Sequence, residues 1–323
     1  NVETYASHCG TPQLPLNHKY SDIKHLKKRW NMGKNPEPGV EDFYERHWPH
    51  FVQWWQGDDA HAIHFGMHVK GVHSFLESLH YMNYYAGKLL GLTEEKSWVI
   101  LDAGCGVGGP STQLAKRFPK STFIGITITR NQIPLAQDLA RREGVTKNTQ
   151  FLLRNYRHSE FPDNYFDGAF AQESHNYAQN KVEFVREMYR IIKPGSRLVI
   201  LDGFIRDKPL TPLSKKVLDI WRPARGFPDL ISLTDLKLML ENNGFEDVVV
   251  EDLTKTILPS VARSTCLGPY FFTASVIKRF FLGKKYKAEM DDCFYMGAVV
   301  IGDMLGLAKI IHFGSVAAVK PKH

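Results

Sequence analysis

The chain has 323 residues, enough for two ordinary domains or one large one at roughly 150 residues each. Hydrophobic residues make up 43% and charged residues 23%, which excludes a disordered tail, a collagen-like fibre and a disulfide-stapled miniature. Lys plus Arg number 41 against 34 for Asp plus Glu, a net charge of +7 that admits an anionic partner such as a phosphate-bearing substrate or an acidic membrane surface. No long Lys/Arg run marks a nucleic-acid stripe, so no nucleic-acid partner is expected. Cys9, Cys105, Cys266 and Cys293 form no CxxC pair, against a zinc knuckle or thioredoxin motif. With no visible signal-peptide pattern, they fit a reducing, cytoplasmic location. The most apolar stretch, Tyr295 to Val319, is broken by Asp303, Lys309 and His312, and reads as core with no transmembrane segment. A homo-oligomer is left open.

Residues 1–40 read as a polar arm with Pro12, Pro15, Pro36 and Pro38 and one helical piece near Ile23 to Trp30. Residues 41–91 look helical, with Phe75, Leu79, Met82, Tyr85 and Leu89 at three- and four-residue steps. This part is dense in aromatics, among them Trp48, Trp54 and Trp55. They suit either a helical core or a pocket with π-faced walls, and Trp54 is the candidate acceptor contact. The period then changes. Strands are expected at Trp98 to Leu101, Ser121 to Ile128, Gln150 to Arg154, Tyr165 to Ala171, Arg197 to Leu201, Glu246 to Leu253 and Phe313 to Val319. Helices are expected at Pro110 to Arg117, Asn131 to Glu143, Lys181 to Ile192 and Leu233 to Asn243, with Lys193-Pro-Gly195 as a turn. This alternation predicts an α/β fold: a doubly wound, Rossmann-like sheet of seven mostly parallel strands, with an N-terminal helical segment and a helical insertion before the last strand. The expected division is an arm and helical cap over 1–91 and the sheet domain over 92–323, with helical pocket insertions at about 205–232 and 258–310.

The segment Leu101-Asp-Ala-Gly-Cys-Gly-Val-Gly-Gly109 is the most informative. Its glycines permit a sharp strand-to-helix turn and a close ligand approach. Gly104, Gly106 and Gly109 formally satisfy the dinucleotide fingerprint. Yet no acid stands near position 124 to hold a ribose, and Asp102 would repel a pyrophosphate. A carboxylate there suits a cationic ligand instead.

Asp102 with its glycines, Phe161-Pro-Asp-Asn-Tyr-Phe-Asp167 and Lys193-Pro-Gly195 follow one another as in the class I S-adenosylmethionine-dependent methyltransferases, which the chain resembles over most of residues 60–250. In Gly125-Ile-Thr-Ile-Thr-Arg-Asn-Gln132 the usual ribose-binding acid is missing, and this variant resembles the subgroup of sterol, tocopherol and prenyl-diphosphate methyltransferases. The resemblance implies S-adenosylmethionine as cofactor, with Thr127 and Gln132 on the ribose and Asn155 and Tyr156 flanking the adenine. It also implies that Tyr44 and Ile63-His-Phe-Gly66 cap cofactor and substrate, with His64 as the contact. His61, His64 and His68 fall at helical spacing, but no acid accompanies them, so no metal site is assigned.

Gln172 and Glu173 end the fourth strand, where tips face the ligand crevice; the first is assigned to the cofactor and the second to the acceptor. In carbon methylation of an alkene, attack leaves a carbocation that must be stabilised and then lose a proton. Glu173, with Tyr44 or His175 nearby, is the candidate for both tasks. Residues 221–232 resemble the subgroup's segment roofing the acceptor pocket. Trp221, Arg222 and Arg225 there, with Arg263 of Leu258-Pro-Ser-Val-Ala-Arg263, suggest an apolar tail with an acidic head, since arginine forks suit phosphate oxygens. The expected acceptor is a prenyl diphosphate, with a Mg²⁺ requirement left open. The alternatives are a sterol, squalene-like or prenylated indole acceptor, heteroatom methylation of a small molecule, or a non-catalytic binding subunit.

Overall fold

A computed structural model describes Val40, Glu41, Tyr44, residues 62–224 and 226–266, Thr273 and residues 310–322. The expected helix at Ile23 to Trp30, Trp54 and its aromatic neighbours, His61, Arg225 and nearly all of 267–309 lie outside the described residues.

The chain forms α1 (Phe75–Leu90), β1 (Val99–Ala103), α2 (Gly109–Arg117), β2 (Thr122–Thr127), α3 (Gln132–Arg142), β3 (Thr149–Leu153) and β4 (Phe166–Gln172). A single 3₁₀ turn at His175–Tyr177 precedes α4 (Lys181–Ile191), β5 (Ile192–Ile205), α5 (Pro212–Ala224), α6 (Leu233–Asn242) and β6 (Glu246–Asp252). Residues 254–266 are helical (α7), and β7 (Ile311–Val319) follows. Local chemistry marks the ends. Ser74 accepts from the Glu77 amide at the start of α1, left-handed Gly91 closes it, and a reciprocal Ser232–Asp235 capping box opens α6.

Among the described residues one sheet of 7 strands runs in the order β3-β2-β1-β4-β5-β7-β6. β7 pairs antiparallel with both β5 and β6, while the pairs among β1 to β5 are parallel. Alternation along β5 shows why both faces must be covered. Val199 and Leu201 enter a core with α1, α2 and α7, whereas Leu198 and Ile200 enter a second core with α4 and α6. The chain order reverses between β1 and β4, which opens a crevice beyond the carboxyl ends of these strands.

Two expectations need correction. Residues 62–73 are not helical, so His64 and His68 do not share a helix face. The amides of Phe65, Gly66, Met67 and His68 are bonded outward, to Glu173, Ser260, Ser78 and Thr256 respectively, and cannot join an i to i−4 ladder. Lys193-Pro-Gly195 lies within the span of β5: Ile192 pairs with Phe166 and Arg197 with Gly168, so the intervening residues bulge out, with Gly195 at φ 80. Among the described residues no helix is long and apolar enough to cross a membrane.

Candidate active site

The crevice encloses about 700 Å³, counting its open mouth. Its floor is the β1–α2 turn. Gly104, Gly106 and Gly108 all have positive φ, and the Gly104 and Cys105 amides both donate to the Ile126 carbonyl at 2.9 Å, binding this turn to β2. A Cβ on Gly104 would lie 2.4 Å from that of Ser174, whereas one on Gly106 would meet only the end of Ile63 at 3.9 Å. Gly104 is therefore needed by the fold, and Gly106 leaves backbone open to a ligand.

Asp102 sits beneath the turn, 1% exposed and facing the crevice. Ser111 Oγ, from the first turn of α2, donates to its Oδ2 at 2.7 Å. Burial raises its pKa from 3.8 to about 7, with Ser111 opposing the rise. A cation is the ligand that would repay ionising it. On the next strand, Thr127 Oγ1 donates to Gln132 Oε1 at 2.8 Å, which leaves the Gln132 amide nitrogen as the end able to donate to a ligand hydroxyl. Both residues line the crevice, as does Tyr156, whose hydroxyl donates to the Ser174 carbonyl at 3.0 Å. Asn155 is not on the crevice wall; its Oδ1 accepts from the Arg157 amide in a local turn.

Beyond β4, Gln172 and Glu173 both line the crevice. Gln172 Nε2 donates to Asn83 Oδ1 at 2.8 Å, and Asn83 in turn donates to Gln113 at 2.7 Å. Gln172 Oε1 is buried without a hydrogen-bond partner among the described residues, an acceptor suited to an ammonium group. Glu173 adopts φ 49, costly for a residue with a Cβ, and such strain persists only where surrounding bonds hold it. Its amide donates to Leu201 at 2.7 Å and its Oε1 accepts from the Phe65 amide at 2.5 Å. Tyr44 and Tyr177 line the same wall with ring centroids 5.6 Å apart, and His64 joins them.

His175 does not join this wall. The 3₁₀ turn after Glu173 carries it into the core, fully buried between Phe184 and Phe204. Burial, helped by Lys181, lowers its pKa to about 3, so it is a neutral core ring and not a base in the crevice. Trp221 is buried edge-to-face against Phe227, which packs on Tyr177, so it stands behind the wall. Arg222 turns to Asp229 at 3.3 Å, and Arg263 lies over the Phe75 ring at 4.5 Å; neither reaches the crevice wall. Sequence reasoning did not find Ser111, Asn83, Gln113 or Ser260. A polar Asn83 within the apolar stripe of α1 is the one local signal available; the others act through contacts distant in sequence.

A buried carboxylate, an unpartnered amide oxygen, a hydroxyl–amide pair and an open glycine backbone together fit the sulfonium, ammonium and ribose of S-adenosylmethionine. Fold and site thus define a class I S-adenosylmethionine-dependent methyltransferase domain. Comparison with known proteins agrees: the family profile described as a methyltransferase domain matches residues 101–200. Methyltransferase phqN of Penicillium fellutanum is 31% identical over 156 residues, 48% of this chain and 48% of that protein. Cycloartenol-C-24-methyltransferase 1 of Oryza sativa subsp. japonica is 28% identical over 258 residues, 78% of this chain and 67% of that one. The matched regions thus span about half to two thirds of these relatives' lengths. Among solved structures, the [4+2]-cyclase SpnF superposes with TM-score 0.70 at 22% identity, covering 88% of this chain and 96% of its own. Geranyl diphosphate C-methyltransferase from Streptomyces coelicolor A3(2) gives 0.64 at 16%, covering 90% and 100%. Residues 101–200 thus match a methyltransferase domain, the sequence relatives include a sterol-type C-24-methyltransferase, and the fold is shared with geranyl diphosphate C-methyltransferase.

Proposed function

We propose that the protein methylates an alkene carbon of an isoprenoid acceptor. The observation that carries this reading is Glu173: a carboxylate at the crevice wall, anchored on the Phe65 amide and held in a left-handed backbone beside two tyrosine rings. Bound S-adenosylmethionine supplies an electrophilic methyl group on its sulfonium. Asp102 and Gln172 hold the cationic and ammonium parts, Thr127 and Gln132 the ribose, and Tyr156 the adenine side. Gly106 leaves room for the backbone approach. The acceptor's π electrons would form the new carbon–methyl bond as the sulfonium–methyl bond breaks and its electron pair returns to sulfur, releasing S-adenosylhomocysteine, and this needs no prior base. The positive charge left on the adjacent carbon falls under the Glu173 carboxylate, which stabilises it and then accepts the proton lost from carbon. The tyrosine pair keeps water from the cation.

An uncharged acceptor, sterol-like or an open-chain terpene, is favoured because Arg222 is already matched by Asp229. The second reading, a prenyl diphosphate with Mg²⁺, draws support from the fold shared with geranyl diphosphate C-methyltransferase. The test is incubation with methyl-labelled S-adenosylmethionine and cycloartenol, squalene or geranyl, farnesyl and geranylgeranyl diphosphates, scored by product mass. A new carbon–methyl bond is expected; label only on oxygen or nitrogen would overturn the reading. Glu173→Gln should lower kcat by roughly 10²–10³ and release altered alkene isomers or a water-quenched alcohol.

A further inference from the structure

Four consecutive amides from Phe65 to His68 are pinned to three different parts of the fold, the tip beyond β4, α1 and α7, and Ser260 of α7 makes the densest attachment. Its hydroxyl is buried, 1% exposed for the residue as a whole. It donates to the Gly66 carbonyl at 3.1 Å and accepts from the Gly66 amide at 3.0 Å, so both peptide groups flanking Gly66 are gripped by one oxygen. His68 Nε2 lies 2.9 Å from the same oxygen. A hydroxyl has one proton and two lone pairs. With the proton on Gly66 and one lone pair taken by its amide, His68 must donate from Nε2, and the oxygen is then saturated. On the opposite side Gly66 is pressed against α1: a Cβ there would lie 1.9 Å from Ser78 Oγ. The segment can therefore neither slide nor rotate while Ser260 holds it. One residue upstream, the Phe65 amide is the donor that anchors Glu173 Oε1.

We propose that Ser260 is a positioning residue for the methyl-transfer step, a latch from α7 that fixes the Phe65–Gly66 segment and through it the carboxylate of Glu173. The proposal rests on the role given to Glu173 above. It assigns α7 a part in catalysis without any contact to the reacting atoms. A hydroxyl serving only to satisfy its own helix would not need both polar groups of a glycine 194 residues away.

The test is a double-mutant cycle, with kcat measured on the acceptor of the panel above that turns over fastest. Ser260→Ala should lower kcat by about tenfold, the effect of losing one or two hydrogen bonds behind the anchor. Ser260→Thr, which keeps the hydroxyl, should restore most of it. In a Glu173→Gln background, Ser260→Ala should cost less than about twofold, because the charge it positions is gone. Wild-type kcat in folded Ser260→Ala, or the full tenfold loss repeated in the Glu173→Gln background, overturns the latch while leaving Glu173 in place. Wild-type kcat in Glu173→Gln alone overturns the carboxylate's role, and the latch with it. Should Ser260→Ala fail to fold, Ser260→Cys carries the comparison. Hydrogen exchange gives a readout independent of turnover: the Phe65 and Gly66 amides should lose protection in the variant, and unchanged protection refutes the grip.

Discussion

Replacing Asp102 by Asn tests the cation site without changing its shape. Burial moves this carboxyl from 3.8 to about 7, which corresponds to about 4 kcal/mol for ionising it inside the ligand-free protein. The sign follows from proton binding. Between 3.8 and about 7 the unfolded chain has lost this proton while the folded protein keeps it, so stability falls as pH rises through that window and levels off above it. Asp202, buried and likewise raised to about 7, adds a fall of the same sign, so the wild-type profile alone does not isolate Asp102. The difference between wild type and Asp102→Asn does. Urea unfolding at stepped pH should show the variant gaining on wild type, by up to about 4 kcal/mol between pH 3.8 and about 7. Calorimetry should show the converse for the cofactor. Wild-type affinity for S-adenosylmethionine weakens as pH drops below about 7, and the variant binds weakly with a flat profile. A stability difference that does not grow with pH, or wild-type affinity in the variant, would refute the assignment of Asp102 to the cation.

The two glycines of the turn should fail in different ways. Both positions have positive φ, so either alanine is strained, but Gly104→Ala adds a clash with Ser174 worth roughly 1–3 kcal/mol more, whereas Gly106→Ala, with only Ile63 at 3.9 Å, should keep more stability and show its main loss in S-adenosylmethionine binding. Equal melting temperatures for the two variants would contradict this division. For His175, replacement by Phe removes ring nitrogens that have no partner among the described residues, so unfolding free energy should stay level or rise and kcat should be kept. A large loss of kcat would return His175 to the mechanism.

What could be read along the chain was what local chemistry controls. The apolar run closed by Asp102 and the run from Ser121 to Ile128 mark β1 and β2 to within two residues, because strands buried on both faces are largely apolar and end where the backbone turns. Asp102, Gly104 and Gly106 were legible from the glycine turn and the acid before it, and Thr127 and Gln132 from the resemblance carried by their segment; the crevice receives them all. The helical reading of 62–73 failed because its histidine spacing suits a helix while its amides find partners at the tip beyond β4 and on α1 and α7. Nothing local distinguishes His175 from a catalytic histidine; a left-handed residue just before it and the phenylalanines of α4 and β5 send it into the core. Glu173 shows the division within one residue. Its place at a strand tip follows from sequence, since parallel strands deliver their carboxyl ends to the crevice. The direction of its carboxylate is decided by the Phe65 amide, 108 residues upstream, and by the Ser260 hydroxyl behind it, because only folding brings those dipoles within hydrogen-bond reach.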